Sequence, residues 1–151
     1  MQKYLAVGVG GAFGAIVRYM INGWFKGEVG SFPLDTFLIN LSGSFALGLF
    51  LTLLTRRNST QAELRLLVGT GFIGAYTTFS SFTNETLSLL RAGNWLIGLS
   101  YSLASLAGGI LCVWVGYLGA VMLEDSFKKI KTGGHESKSA DEKKPLPEGK
   151  N

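Results

Sequence analysis

The sequence predicts an all-α integral membrane protein with four transmembrane helices, and three observations carry that prediction. The apolar residues, 47% of 151, are not scattered as in a soluble core; they are gathered in four blocks joined by short polar connections. The blocks, roughly 4–25, 34–55, 64–90 and 95–122, each reach the ~20 residues a helix needs to cross the hydrocarbon layer of a bilayer. The third block contains a stretch that is a poor helix, Gly69-Thr-Gly-Phe-Ile-Gly-Ala-Tyr-Thr-Thr-Phe-Ser-Ser-Phe82, so a break is expected near 74–78. Residues 1–123 thus form one membrane domain, and a polar tail of 124–151 follows.

The first block is too long for the apolar region of a secretory signal and has no clear small-residue cleavage site, so it reads as a retained helix. Gly10 and Gly14 form a small-residue face, widened by Gly11, on which another helix backbone can approach closely. Arg18 sits well inside this block. It either snorkels to the interface or faces a water-filled vestibule. In the connection that follows, Trp24 and Phe25 suit interfacial anchoring.

Pro33 marks the start of the second helix, since proline is tolerated in a first turn. Asn40 is the most polar side chain of that block, and Ser44 lies one turn further on the same face. The amide of Asn40 serves either a helix–helix hydrogen bond or, with its two donor hydrogens, an anion.

In the third block Gly69, Gly71 and Gly74 precede Thr77, Thr78, Ser80 and Ser81, which crowd around Phe79 and Phe82. Irregular backbone at membrane depth is tolerated where it is buried in protein or lines a polar cavity, and an ion site is the usual purpose. Gly69-Thr-Gly-Phe-Ile-Gly74 also matches the glycine fingerprint of dinucleotide-binding folds. That motif needs a βαβ unit around it, and another apolar run follows instead.

The turn Arg91-Ala-Gly-Asn94 leads to Trp95 and the last block, where Tyr101 and Ser105 are four apart and Gly108 and Gly109 permit another close approach. From Glu124 the composition becomes charged, and a segment of such low hydrophobicity is expected to be disordered. Its lysines explain much of the formal charge of +4. They suit attraction to a membrane surface and not a nucleic-acid site, because no folded basic surface accompanies them.

Enzymatic chemistry has almost no candidates. Cys112 is the single cysteine, so no intrachain disulfide can form, and with His135 as the single histidine there is no Cys/His cluster and no Ser-His-Asp set. Glu85 is the one carboxylate well within a block, whereas a cation path would be expected to carry several facing inward. Hydrogen-bond donors dominate instead: Asn40, Thr78, Ser80, Ser81, Thr83, Tyr101 and Ser105. An aromatic ring has a negative face and a positive edge, so Phe79 and Phe82 could turn their edges to a small anion, or could simply pack against lipid or core.

Three segments carry a resemblance to a known family. Gly10-Gly-Ala-Phe-Gly-Ala-Ile-Val-Arg-Tyr19 resembles the first-helix motif of the Fluc (CrcB) fluoride channels. Thr36-Phe-Leu-Ile-Asn-Leu-Ser-Gly-Ser-Phe45 is similar to their second-helix motif, and Gly71-Phe-Ile-Gly-Ala-Tyr-Thr-Thr-Phe-Ser-Ser-Phe82 to their third. The resemblance covers residues 1 to about 123. It implies a dual-topology, antiparallel homodimer of four-helix subunits in the cell's inner (plasma) membrane, with two passive pathways that export cytoplasmic fluoride and give fluoride resistance.

By position it implies ring edges of Phe79 and Phe82 on the ion, Asn40 as the pore amide, Ser81 and Thr83 beside them, and a polar track begun by Tyr101 and Ser105. Arg18 would line the approach. Backbone carbonyls of Gly74 and Thr77 from both subunits would hold a structural sodium ion on the two-fold axis. Gly109 departs from the pattern, standing where the track would carry another hydroxyl. Charge also pulls against dual insertion, since Lys3, Arg56, Arg57, Arg65, Lys128, Lys129 and Lys131 collect on one side and Lys26 and Arg91 on the other. The alternative is a small four-helix multidrug or cation antiporter, which needs a coupling carboxylate deep in a helix that the first block lacks.

Overall fold

The computed structural model describes residues 1–22, 24, 31–56 and 62–142, with side chains as far as Ser126. Phe25, Lys26, Arg57 and the tail beyond Glu142 lie outside the described residues. Every regular element among the described residues is helical: α1 (Gln2–Ile21), α2 (Leu34–Arg56), α3 (Ala62–Leu64), a π-helical segment (Arg65–Ile73), α4 (Gly74–Tyr76), α5 (Phe79–Arg91) and α6 (Trp95–Glu142). Among the described residues, three helical stretches are long and apolar enough to cross a membrane, namely Gln2–Ile21, Leu34–Arg56 and the Trp95–Ser126 part of α6. This is a multi-pass membrane protein.

The ends of these helices follow from local chemistry. Pro33 stands just before α2, and its carbonyl accepts the Phe37 N–H at 3.1 Å to start the helical ladder. At the end of α5, Gly93 takes φ +80°, which lets Gly93 N donate to Leu90 O and Asn94 N to Leu89 O. Those two bonds close off the helix and reverse the chain into α6.

Helix α6 continues to Glu142, past the residue 123 limit expected from composition. Low hydrophobicity argues against burial and says nothing of helix propensity, and Glu124–Lys131 carries three lysines and is free of Gly and Pro. Arg56 at the end of α2 pairs with Glu124 (3.4 Å) and Asp125 (4.0 Å) where the two helices part.

Packing is by close backbone approach. On α1, a Cβ at Gly10 would overlap the carbonyl oxygen of Leu67, and one at Gly14 that of Phe72. On α2 and α6, Gly48 meets the Val113 carbonyl, Gly116 the Phe45 carbonyl, and Gly108 the Leu41 side chain. In both seams the residue numbers rise together, so α1 runs parallel to the π-helical segment and α2 parallel to α6. The buried apolar set among the described residues is small (Ile39, Ile73, Leu89, Tyr101 and Ala120), while Phe13, Ile16, Leu99, Leu103, Leu106 and Ile110 face outward. Apolar exteriors are what a lipid solvent permits, and small residues that admit close contact supply the cohesion.

Candidate anion pathway

The helical ladder stops at two residues. Thr77 has φ −73°, ψ 156° and Thr78 has φ −144°, ψ 116°, both extended, between α4 and α5. In a continuing helix Thr78 N would donate to the Gly74 carbonyl. Here it donates to Asn40 Oδ1 at 2.8 Å, and Asn40 Nδ2 returns a bond to Thr78 O at 3.1 Å. The amide of α2 therefore takes the place of the missing helical partners, at a depth where an unpaired backbone group is costly. The Thr78 hydroxyl then caps α5 by accepting from Ser81 N at 3.1 Å. A Cβ at Gly43 would overlap the Thr77 methyl, so glycine there lets α2 lie directly against the break.

Diverting Thr78 N frees the Gly74 carbonyl, and among the described residues no hydrogen bond reaches the carbonyl of either Gly74 or Thr77. Oxygen atoms of this kind suit a hard cation. One subunit offers two of them, fewer than such an ion takes.

Aromatic rings run from the break toward α6. Phe79 and Phe82 have centroids 5.8 Å apart with planes at 37°, and Phe82 and Tyr101 follow at 5.3 Å and 50°. Phe79 is 77% exposed, whereas Tyr101 is fully buried. The Tyr101 hydroxyl donates to Glu85 Oε2 at 2.8 Å, and the buried Thr36 hydroxyl donates to Glu85 Oε1 at 2.6 Å. Both oxygens of this carboxylate are thus occupied. A recess of about 280 Å³ opens beside the break, lined by Asn40, Ser44, Gly74, Thr77, Thr78 and Phe79 among others.

The residues singled out from sequence fall into three groups. Asn40, Gly74, Thr77 and Phe79 meet at the recess, while Phe82 and Tyr101 form the ring stack beside it. Ser81 Oγ accepts from the Thr78 hydroxyl at 3.1 Å and keeps its own O–H, whereas Thr83 donates back to the Phe79 and Ser80 carbonyls and is committed locally. Ser105 Oγ is buried without a hydrogen-bond partner. Arg18 stands apart, in the last turn of α1 and outside both recess and stack. The sequence marks neither Thr36 nor Glu85 as a site residue, yet the two share this hydrogen bond. Their spacing in sequence gives no sign that they share a hydrogen bond; the packing of α5 beside α2 brings them together.

The CrcB-like protein family, described also as Camphor Resistance (CrcB), matches residues 5–117. This chain belongs to that family. Among CrcB relatives, a "Fluoride-specific ion channel FluC 2" from Moorella thermoacetica is 46% identical over 120 residues, which cover 79% of this chain and 97% of the relative. A "Fluoride-specific ion channel FluC" from Acidobacterium capsulatum is 47% identical over 116 residues, 76% of this chain and 93% of the relative. The "FluC 2" protein of Listeria monocytogenes is 43% identical over 113 residues, 75% and 86% of the two chains. The CrcB match ends within α6, before the ion pair of Arg56 with Glu124.

Proposed function

We propose that this chain is a fluoride-selective channel, not an enzyme, through which cytoplasmic fluoride leaves passively across the inner membrane, conferring fluoride resistance. The observation that carries the proposal is the ring stack Phe79–Phe82–Tyr101 set against a helix break whose backbone is held by Asn40. Fluoride holds its water strongly, so a pore must replace those hydrogen bonds with fixed donors and positive ring edges. The antiporter alternative gains nothing, because α1 contains no acidic residue and both oxygens of Glu85 already accept hydrogen bonds.

The functional unit is an antiparallel homodimer inserted in both orientations, in which 62–76 and α5 together make a fourth crossing. Neither half reaches the ~20 residues a crossing needs, and the exposed ring of Phe79 calls for a neighbour. Carbonyls of Gly74 and Thr77 from both copies would hold a structural sodium ion at the two-fold axis, supplying the freed backbone with a partner. Arg18, at the end of α1, would face the aqueous approach.

Purified protein in liposomes tests this directly. Fluoride efflux is expected with chloride efflux absent, and Phe79→Ile or Phe82→Ile should impair fluoride efflux in a protein that still assembles, because apolar volume is roughly kept. A parent protein that passes no fluoride, or ring variants that conduct like the parent, would reject the reading.

A further inference from the structure

We propose that Ser44 is an anion-binding hydroxyl of the pathway, standing opposite Gly109 where the polar face of α6 has no side chain. The inference rests on the channel reading above and assigns a donor within it. Hydroxyls on these helices mostly bond back to their own helix: Ser42 to Leu38 O, Thr52 to Gly48 O, Thr86 to Phe82 O and Ser102 to Gly98 O. Such back-bonding is the default where no water competes. Ser44 has no hydrogen-bond partner among the described residues, and Ser105 Oγ is buried with none.

Ser44 and Ser105 lie on one seam. Ser44 is one turn beyond Asn40 on α2 and lines the recess with Asn40, Thr78 and Phe79. Gly109 is one turn beyond Ser105 on α6, and a Cβ built on it would stand 3.7 Å from Ser44 Oγ. Ser44 thus points its hydroxyl at the place a side chain from residue 109 would occupy.

Accounting for donors explains why this hydroxyl matters. Asn40 spends its carbonyl oxygen and one of its two N–H groups on Thr78, leaving a single donor. Thr83 spends its O–H on its own helix, and Ser81, which accepts from the Thr78 hydroxyl, keeps its own. A dehydrated small anion at this level needs several donors, and Ser44 contributes a whole O–H that nothing else in the subunit claims.

The test is fluoride efflux from liposomes for the parent, Ser44→Ala, and Ser44→Ala combined with either Gly109→Ser or Gly109→Ala. Ser44→Ala is expected to slow efflux about tenfold, the loss of one hydrogen bond to a charged group. Gly109→Ser should restore the rate to within about twofold of the parent, because it returns a hydroxyl to the same gap, and Gly109→Ala should not. Ser44→Ala conducting like the parent, or equal rescue by serine and alanine, overturns the proposal while leaving the channel reading intact. A parent that passes no fluoride overturns the channel reading instead. Should Ser44→Ala fail to assemble, Ser44→Thr is compared with Ser44→Val, which keeps the shape and loses the hydroxyl. Equal rates for that pair overturn the proposal.

Discussion

The seam between α1 and the π-helical segment and the seam between α2 and α6 are built with the same device. In each, two parallel helices close on glycine, with a carbonyl oxygen of one helix lying where the Cβ of the other would be. What lines them differs. The atoms nearest Gly10, Gly14 and Gly71 are all backbone. Beside Gly43, Gly108 and Gly109 lie Asn40, Ser44, Ser105 and the Thr78 backbone, some of them holding the broken helix and others without a partner. Close approach without polar side chains makes a wall, whereas close approach around donors makes a place where an ion can stand.

The largest effect expected from this contrast is on the wall. Gly14→Val would drive a branched side chain into the Phe72 carbonyl, a backbone atom that cannot swing aside. Overpacking of this kind costs about 3 kcal/mol or more, a large share of a typical folding free energy. Little monodisperse protein should be recovered in detergent. Normal recovery would mean that α1 can stand off from the π-helical segment.

Next in size is the clamp on the break. Asn40→Leu removes both bonds to Thr78 and leaves its N–H and carbonyl unpaired, at about 1–3 kcal/mol for each group. Lower thermal stability and loss of fluoride efflux should appear together. Asn40→Asp separates the two roles, since a carboxylate keeps the acceptor for Thr78 N and loses the donor to Thr78 O. It should be intermediate in stability and inactive in efflux.

A smaller change probes the far end of the ring stack. Tyr101→Phe keeps the ring against Phe82 and deletes only the donor to Glu85 Oε2, leaving the Thr36 bond in place. Loss of one bond to a charged acceptor should cost about 1.5–3 kcal/mol in thermal unfolding. A cost near zero would mean that the freed oxygen finds water, so that the Glu85 recess of about 180 Å³ is wet.

How much of this was legible from sequence varies with the distance over which each feature is decided. Spans and weak helix are local properties, and runs of leucine around glycine and threonine display them. The choice between a packing and a donor role for Asn40 could not be made locally, because its partner is a backbone group 38 residues away. The Glu85 clamp spans 49 residues to Thr36 and 16 to Tyr101, and no spacing rule covers it. The π-helical turns of Arg65–Ile73 were equally hidden. They add no unusual residue type, and the contact of Gly10 and Gly14 with the carbonyls of Leu67 and Phe72 is a tertiary feature.

The smallest effect separates packing glycines from idle ones on a single helix. Gly8 lies on α1 just before Gly10, yet a Cβ built there meets nothing within 4 Å. In an exposed helix of a soluble protein Gly→Ala gains roughly 0.5–1 kcal/mol. A membrane helix is held together by its own hydrogen bonds before it packs, so the gain should be smaller here. Gly8→Ala is therefore expected to leave thermal stability within about 0.5 kcal/mol of the parent, in contrast to Gly14→Val. That expectation holds only if the Gly8 face looks into lipid. A clear loss of stability, accompanied by a shift from dimer to monomer on size-exclusion chromatography, would place a second subunit against this face. It would then be α1, together with the exposed Phe79, that carries the interface between copies.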